Sequence, residues 1–337
     1  MQLNLIETYY KKMNNIQVYI HVGYPKNAST MLQMDIFPNI PGIIYFGRRY
    51  DLATAFSSKE LESAIHSISY EDSISYDADN VRARITRALN ETVSMNNRKV
   101  LISWEAFMHN VADRGLIATR LKDLFPNAKI LFVIRNQLDS IESMYHFLVV
   151  QAGGNINPSY GRPSVRSLTA WISEQDNFSY RSYLETLKYD EIYSLYVKLF
   201  SAKNVKVLLF EDMKDSPQMF LNEIANFFGL SSISISLMQK RNSRPSSLMS
   251  KAFKFRNMLR DIGFRFAVPK IISRPTKKIL SLMGWLFKFD KLTDVQRNIL
   301  SERYKQSNSK LQGLIKKDLK SKNYPILSIA EVGSEEI

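Results

Sequence analysis

The sequence contains no cysteine and only four histidines among its 337 residues. Disulfide bonds, thiolate metal sites and cysteine nucleophiles are therefore excluded, and imidazole chemistry has few candidates. No apolar run approaches the ~20 residues of a membrane-spanning helix, and the N-terminus lacks the basic start and apolar stretch of a signal peptide. These absences predict a protein of the reducing cytoplasm.

Acidic residues are scarce between Lys240 and Lys291, where 14 lysines and arginines face two aspartates. This segment carries +12 of the net charge of +14, which predicts an anionic partner such as a nucleotide, an acidic glycan, a nucleic acid or a lipid surface. Within it, residues 251–288 interleave cations with aromatic and aliphatic side chains. The pattern suits an amphipathic surface on anionic lipid, a groove for an acidic polymer, or a helical cap packed on the fold.

Short, continuous apolar runs are typical of strands that are covered on both faces of a sheet. Four such runs occur, at residues 16–22, 100–103, 129–134 and 205–210. Helical patterns lie between or after them, at 115–125, at 216–230 and from the capping residue Thr293 onwards. We therefore expect one α/β domain over residues 1–337, with three layers and a central parallel sheet flanked by helices. Its core would cover about 16–235, and a basic helical portion about 240–325.

The segment after the first strand, VGYPKNASTMLQ, joins a strand to a helix through a glycine and small residues. Backbone amides at a helix N-terminus, together with Lys26 and the hydroxyls of Ser29 and Thr30, could hold a phosphate. A nucleoside-triphosphatase loop needs Gly-Lys-Ser/Thr in succession, and this segment lacks it. An ordinary strand-to-helix turn with a surface lysine is the alternative.

The third predicted strand ends in Arg135. A triphosphatase strand of this kind ends in an aspartate for Mg²⁺, whereas a guanidinium suits bidentate binding of phosphate. This end therefore predicts an anion and no metal. Ser143, eight residues later on the following helix, could add a hydroxyl to the same phosphate. A structural salt bridge of Arg135 is the alternative.

Two segments resemble motifs of the sulfotransferases that use 3'-phosphoadenosine 5'-phosphosulfate (PAPS). Residues 25–33, PKNASTMLQ, resemble the 5'-phosphosulfate loop of that family, usually PKxGTTxLQ. Residues 135–145, RNQLDSIESMY, resemble its 3'-phosphate motif, RxPxxRxxSxY. Similarity extends over about residues 16–320, closest to the glycan and bacterial O-sulfotransferase branch. The departures from the two motifs are Ala28 for Gly, Ser29 for Thr, Gln137 for Pro and Ser140 for Arg.

The resemblance implies a P-loop-like fold, an activity of EC 2.8.2 type, PAPS as co-substrate and no metal. Lys26 would also stabilise charge on the leaving nucleotide. The implied cofactor-binding residues are Lys26, Asn27, Ala28, Ser29, Thr30, Arg135, Ser143 and, from the loop at 240–242 that begins the basic segment, Arg241. A solvated charge run is the alternative for this loop.

Sulfuryl transfer to an alcohol also needs a base for the hydroxyl proton. In the glycan branch a catalytic glutamate stands about thirty residues before the 3'-phosphate arginine, and Glu105 has this spacing from Arg135. The small-molecule branch uses a histidine, which makes His109 the competitor. A carboxylate favoured by a helix dipole is the alternative for Glu105. The remaining histidines, at 21, 66 and 146, are expected to be structural.

These observations predict sulfuryl transfer from PAPS to a hydroxyl of a glycan or lipid-linked saccharide. The enzyme would be cytoplasmic and peripheral at the inner face of the membrane through residues 251–288, with no nucleic acid as partner. One rival is a nucleotide-dependent kinase with a variant phosphate loop, which Arg135 disfavours. The other is a non-catalytic polyanion-binding protein that uses residues 240–291.

Overall fold

The computed structural model describes residues 2–48, 58–93, 98–109, 113–151, 167–177, 182–234, 236 and 291–328. The chain divides into two compact units. The first comprises Met1–Arg135, Tyr189–Gln239 and Gly313–Lys317. The second comprises Asn136–Lys188, Lys240–Gln312 and Asp318–Ile337. The organisation as a single domain stays a prediction.

The first unit contains a parallel sheet of five strands in the order β2-β3-β1-β4-β5. Four strands confirm the predicted runs, and the three-layer α/β prediction is confirmed. The sequence analysis missed β2, which has only four residues. Phe210, predicted at the end of the last strand, instead begins a helix. The strands are β1 (Gln17–Val22), β2 (Ile44–Gly47), β3 (Lys99–Trp104), β4 (Lys129–Ile134) and β5 (Val205–Leu209).

The helices are numbered in chain order over the described residues. Those of the first unit are α1 (Gln2–Met13), α2 (Ser29–Met31), α3 (Lys59–Tyr70), α4 (Ala78–Thr92), α5 (Ala106–His109), α6 (Arg114–Leu124), α10 (Tyr189–Phe200), α11 (Phe210–Asp215) and α12 (Pro217–Phe228). Those of the second unit are α7 (Gln137–Gln151), α8 (Leu168–Asn177), α9 (Tyr183–Thr186) and most of α13 (Asp294–Ile315). No helix within the described ranges has the length and apolar character needed to cross a bilayer.

The apolar runs form strands because both of their faces are buried. On one face, Tyr19, Leu101 and Leu208 join a core cluster with the apolar side of α12. Residues on the opposite face, such as Ile20 and Ile102, are also buried. Because neither face meets water, the sequences of these strands are continuous apolar runs that do not alternate with polar residues.

Helix ends follow the polar signals in the sequence. The Thr293 hydroxyl accepts from the backbone N–H of Gln296, which confirms Thr293 as the cap of α13. Gly229 ends α12 with a φ of 63°, a left-handed conformation that favours glycine. After α2 the chain continues as a π-helix over Leu32–Ile36 and a 3₁₀ turn over Phe37–Asn39.

The second unit has its own buried polar contacts. Gln137, which stands where the resembled motif has proline, donates to Asn308 Oδ1 at 2.6 Å and accepts from Asn308 Nδ2 at 3.1 Å. Glu142 accepts from the Arg297 guanidinium at 2.6 Å and from the Leu292 N–H at 3.1 Å. These pairs tie the start of α7 to α13 within this unit.

Candidate functional site

The order of the strands brings three predicted site segments to one edge of the sheet. β1 pairs with β3 on one side and with β4 on the other, so their carboxyl ends lie next to each other. Three predicted site segments follow these ends. They are residues 23–30 after β1, which we call the phosphate loop, Glu105 after β3 and Arg135 after β4. Ligands of parallel α/β sheets bind at such an edge.

The phosphate loop has an unusual backbone that side-chain hydrogen bonds hold in place. Lys26 and Ala28 both have a φ of 67°, in the left-handed region. Ala28 stands where the resembled motif has glycine, which adopts this conformation at little cost. Ser29 Oγ donates to the Tyr24 carbonyl at 2.9 Å, and Asn27 Nδ2 donates to the Val133 carbonyl at 3.1 Å. The Asn27 amide therefore ties the loop to β4.

Two cations meet at this loop. Arg135 Nη1 donates to the Lys26 carbonyl at 3.3 Å, and the guanidinium lies 4.5 Å from the centre of the Phe210 ring. The pKa of Lys26 is lowered, chiefly by burial and additionally by the Arg135 charge, while Glu105 acts in the opposite direction. An anion bound here would relieve the repulsion between the two cations. The loop therefore fits a phosphate or sulfate group.

Glu105 approaches the loop across Gly23. A Cβ added to Gly23 would come within 3.1 Å of both Glu105 Cγ and Ser29 Oγ, so a larger residue would crowd both side chains. Burial raises the pKa of Glu105 above its ordinary value. The charges of Lys26 and Arg48 and a hydrogen bond with the Ser29 hydroxyl act in the opposite direction and offset part of this shift in pKa. A carboxyl with a raised pKa beside cations is well suited to accept a proton.

A buried polar chain lies behind the loop. His21 Nδ1 is 2.7 Å from Ser103 Oγ, to which Gln33 Nε2 donates at 3.1 Å. Burial lowers the pKa of His21 to about 3, so the ring is neutral at physiological pH. These contacts are those of a structural histidine, as expected for His21. His66 packs against the rings of Trp104 and Tyr70.

Three further predicted site residues, Ser143, His109 and Arg241, are not among the described side chains of the first unit. Ser143 is half-buried on α7 in the second unit. His109 is the last residue of α5, and its side chain lies outside the described part. Arg241 also lies outside the described residues. Within the described ranges, no three His, Asp or Glu side chains converge as metal ligands.

The structure adds Arg48, which the sequence analysis missed. Arg48 directly follows β2, and its charge acts on Glu105. The signal that could have found it is the run IIYFG at 43–47, a short apolar stretch after Pro-Gly.

Comparisons with known proteins give one family match and several similar structures. A family model described as the sulfotransferase domain matches residues 93–259, which include Glu105, Arg135 and Ser143. No curated protein matches the sequence. A crystal structure of a sulfotransferase from Alicyclobacillus acidocaldarius is 17% identical with a TM-score of 0.51, over 90% of this chain and 98% of that chain.

A second structure, the mouse sulfotransferase SULT7A1 complexed with PAP, is 15% identical with a TM-score of 0.44. The match covers 91% of this chain and 92% of that one. The phosphate loop after β1 precedes the residues that the family model matches. Residues 93–259 thus match the sulfotransferase-domain model, and the chain has the fold of the Alicyclobacillus acidocaldarius sulfotransferase.

Proposed function

We propose that this domain transfers a sulfuryl group from PAPS to a hydroxyl of a glycan or lipid-linked saccharide. The observation that carries the proposal is the convergence of Lys26, Arg135 and Glu105 at one edge of the sheet, with the pKa of Glu105 raised. When bound, PAPS supplies the activated sulfuryl group. Two cations with one carboxyl match the needs of anion binding and proton removal.

The loop residues and Arg135 would divide the binding of the nucleotide. The backbone of residues 26–30, the Lys26 ammonium and the hydroxyls of Ser29 and Thr30 would hold the 5'-phosphosulfate. Arg135, already oriented by its bond to the Lys26 carbonyl, would hold the 3'-phosphate. By resemblance, Ser143 and Arg241 would contribute to the same phosphate.

Glu105 would accept the proton of the acceptor hydroxyl as its oxygen bonds to sulfur. Lys26 would donate a hydrogen bond to the bridging oxygen that takes up negative charge when the S–O bond breaks. The charges of Lys26 and Glu105 each shift the pKa of the other group, which supports a shared role in one small region. His109, four residues after Glu105, is the alternative base.

Calorimetry without magnesium tests the nucleotide site. Adenosine 3',5'-bisphosphate (PAP) should bind with micromolar affinity, and ATP should not match it. Arg135→Ala should weaken PAP by roughly 10- to 100-fold, because a hydrogen bond between charged groups contributes about 1.5–3 kcal/mol. Arg98→Ala is the matched control, since Arg98 is exposed next to the opposite end of β3. Absence of PAP binding, or equal binding of ATP, would contradict the proposal.

Measurements of turnover distinguish the catalytic base from the residues that bind the nucleotide. Glu105→Gln should keep its affinity for PAP and lose sulfuryl transfer from radiolabelled PAPS to a saccharide panel by ~100-fold or more. His109→Ala should retain most of the transfer. The reverse result would make His109 the base, and weak PAP binding by Glu105→Gln would assign Glu105 to the nucleotide site.

Attachment to the membrane is a separate part of the proposal. It is supported by the cationic and apolar pattern of residues 251–288, which lie outside the described residues. Flotation with anionic vesicles at low ionic strength should retain the protein, and added salt should release it. No binding at low salt would remove this part and leave the activity untouched.

A further inference from the structure

Arg48 lies on the far side of Glu105 from the nucleotide-binding cations. Gly47, the last residue of β2, pairs with Ser103 of β3, so Arg48 lies beside the strand end from which Glu105 extends. The strand order then sets the site residues in a row along the edge of the sheet. In that row, β2 contributes Arg48, β3 Glu105, β1 Lys26 and β4 Arg135.

The backbone at Arg48 is fixed by its neighbours. The Tyr45 hydroxyl donates to the Arg48 carbonyl at 3.2 Å. A Cβ on Gly47 would lie 2.4 Å from the Tyr45 hydroxyl oxygen and 2.9 Å from the Ser103 carbonyl oxygen, so this close packing requires glycine. The strand end that carries Arg48 is therefore held in one position.

The side chain of Arg48 is available to a ligand. Arg48 is exposed, and it forms no ion pair with any residue of the described ranges. It is nevertheless close enough to lower the pKa of Glu105. An exposed guanidinium on a fixed strand end, beside the proposed base, can bind a charged group of the molecule that the base deprotonates.

The geometry of in-line transfer indicates that the ligand of Arg48 is the acceptor. In an in-line transfer the acceptor hydroxyl and the leaving nucleotide stand on opposite sides of sulfur, and Lys26 and Arg135 occupy the nucleotide side. The groups next to the acceptor hydroxyl then fall toward Arg48. Guanidinium binds carboxylate, sulfate and phosphate through parallel hydrogen bonds.

We propose that Arg48 binds the acceptor and selects a saccharide that carries an anionic group near the reacting hydroxyl. This inference rests on the proposed function. A carboxylate, a sulfate ester and a phosphate ester share the required chemistry. Arg48 is thus a specificity-determining residue, and the nucleotide does not need it.

Binding of small saccharides to the PAP-saturated protein tests the inference. The probes are methyl β-D-glucuronide, glucose 6-sulfate, glucose 6-phosphate and, as the neutral reference, methyl β-D-glucoside. At least one charged probe should bind about tenfold more tightly than the neutral one. The charged probe that binds most tightly identifies the anionic group. Arg48→Gln should abolish the preference and keep the affinity for PAP, whereas the control Arg98→Gln should change neither.

Three results would overturn the inference. They are equal affinity for charged and neutral probes, no detectable binding of any probe at millimolar concentration, and a preference that survives in Arg48→Gln. Failure of the proposed function is distinguishable, because the wild-type protein would then not bind PAP at all.

Discussion

Arg120 and Arg135 are equally buried arginines of the same unit, with exposures of 5% and 6%, but their surroundings differ. Arg120, on α6, donates to the carbonyls of Ile68 at 3.1 Å, Glu71 at 2.7 Å and Asp72 at 3.0 Å. Its guanidinium also lies 3.8 Å from the centre of the Tyr76 ring. Arg135 donates to the Lys26 carbonyl and lowers the pKa of Lys26 by its charge.

The difference separates a cation that stabilises the fold from one that we propose binds a ligand. Arg120 satisfies the Ile68 carbonyl in the last turn of α3 and binds the carbonyls of Glu71 and Asp72 just beyond that helix. Arg135 brings a like charge to a half-buried lysine, which costs stability until an anion binds. Natural proteins accept such costs at functional sites.

The largest expected effect is a loss of stability on replacing Arg120. Arg120→Met should lower the free energy of unfolding by about 3 kcal/mol, because the carbonyls of Ile68, Glu71 and Asp72 lose a charged donor. Arg135→Met, with the same change in charge and shape, should change it by less than about 1 kcal/mol, because relief of the repulsion on Lys26 offsets the lost hydrogen bond to the Lys26 carbonyl. Urea titration of the two variants measures both values.

Affinity for PAP should rank the two variants in the opposite order. Folded Arg120→Met should bind PAP as the wild type does, and Arg135→Met should bind it weakly. Equal losses of stability in both variants would show that Arg135 is a structural cation like Arg120.

A smaller effect on stability is expected from replacing Glu105. Its raised pKa means that the ionised form is unfavourable in the folded state. Protonation then favours folding, so the cost is present at neutral pH and disappears as the pH falls through the raised pKa. Glu105→Gln should therefore be at least as stable as the wild type at pH 7, with an advantage that shrinks on acidification. Thermal unfolding as a function of pH measures this trend, and a less stable variant at pH 7 would contradict it.

The smallest effect concerns the backbone of the phosphate loop. Ala28 has a φ of 67°, which costs an L-residue roughly 1 kcal/mol. Ala28→Gly should remove this cost, and greater freedom of the unfolded chain should offset part of it, for a gain below about 1 kcal/mol. Gly229→Ala, at a φ of 63°, is the reverse control and should destabilise. A loss of stability in Ala28→Gly would show that the loop does not carry this strain.

The strands could be predicted where their sequences are long and continuously apolar. β2 was missed although its apolar run, IIYFG at 43–47, is at least as long as the predicted run at 100–103, because a short apolar run fits a buried helical segment as well as a strand. Arg48 was missed with it, since a residue at a strand end is recognised only when the strand is. Gln137 was seen as a departure from a motif, and the structure shows why it is tolerated, because its amide pairs with Asn308.

The sequence by itself determined the α/β class, and it marked the loop after β1 as a candidate for anion binding and Glu105 as a candidate base. These depend on local patterns, namely apolar runs, a strand-to-helix turn and short motifs. Only the tertiary structure decided that β3 lies between β2 and β1, and thus that Glu105 has Lys26 on one side and Arg48 on the other. Strand order depends on pairing and packing between segments far apart in the chain, which no local pattern encodes.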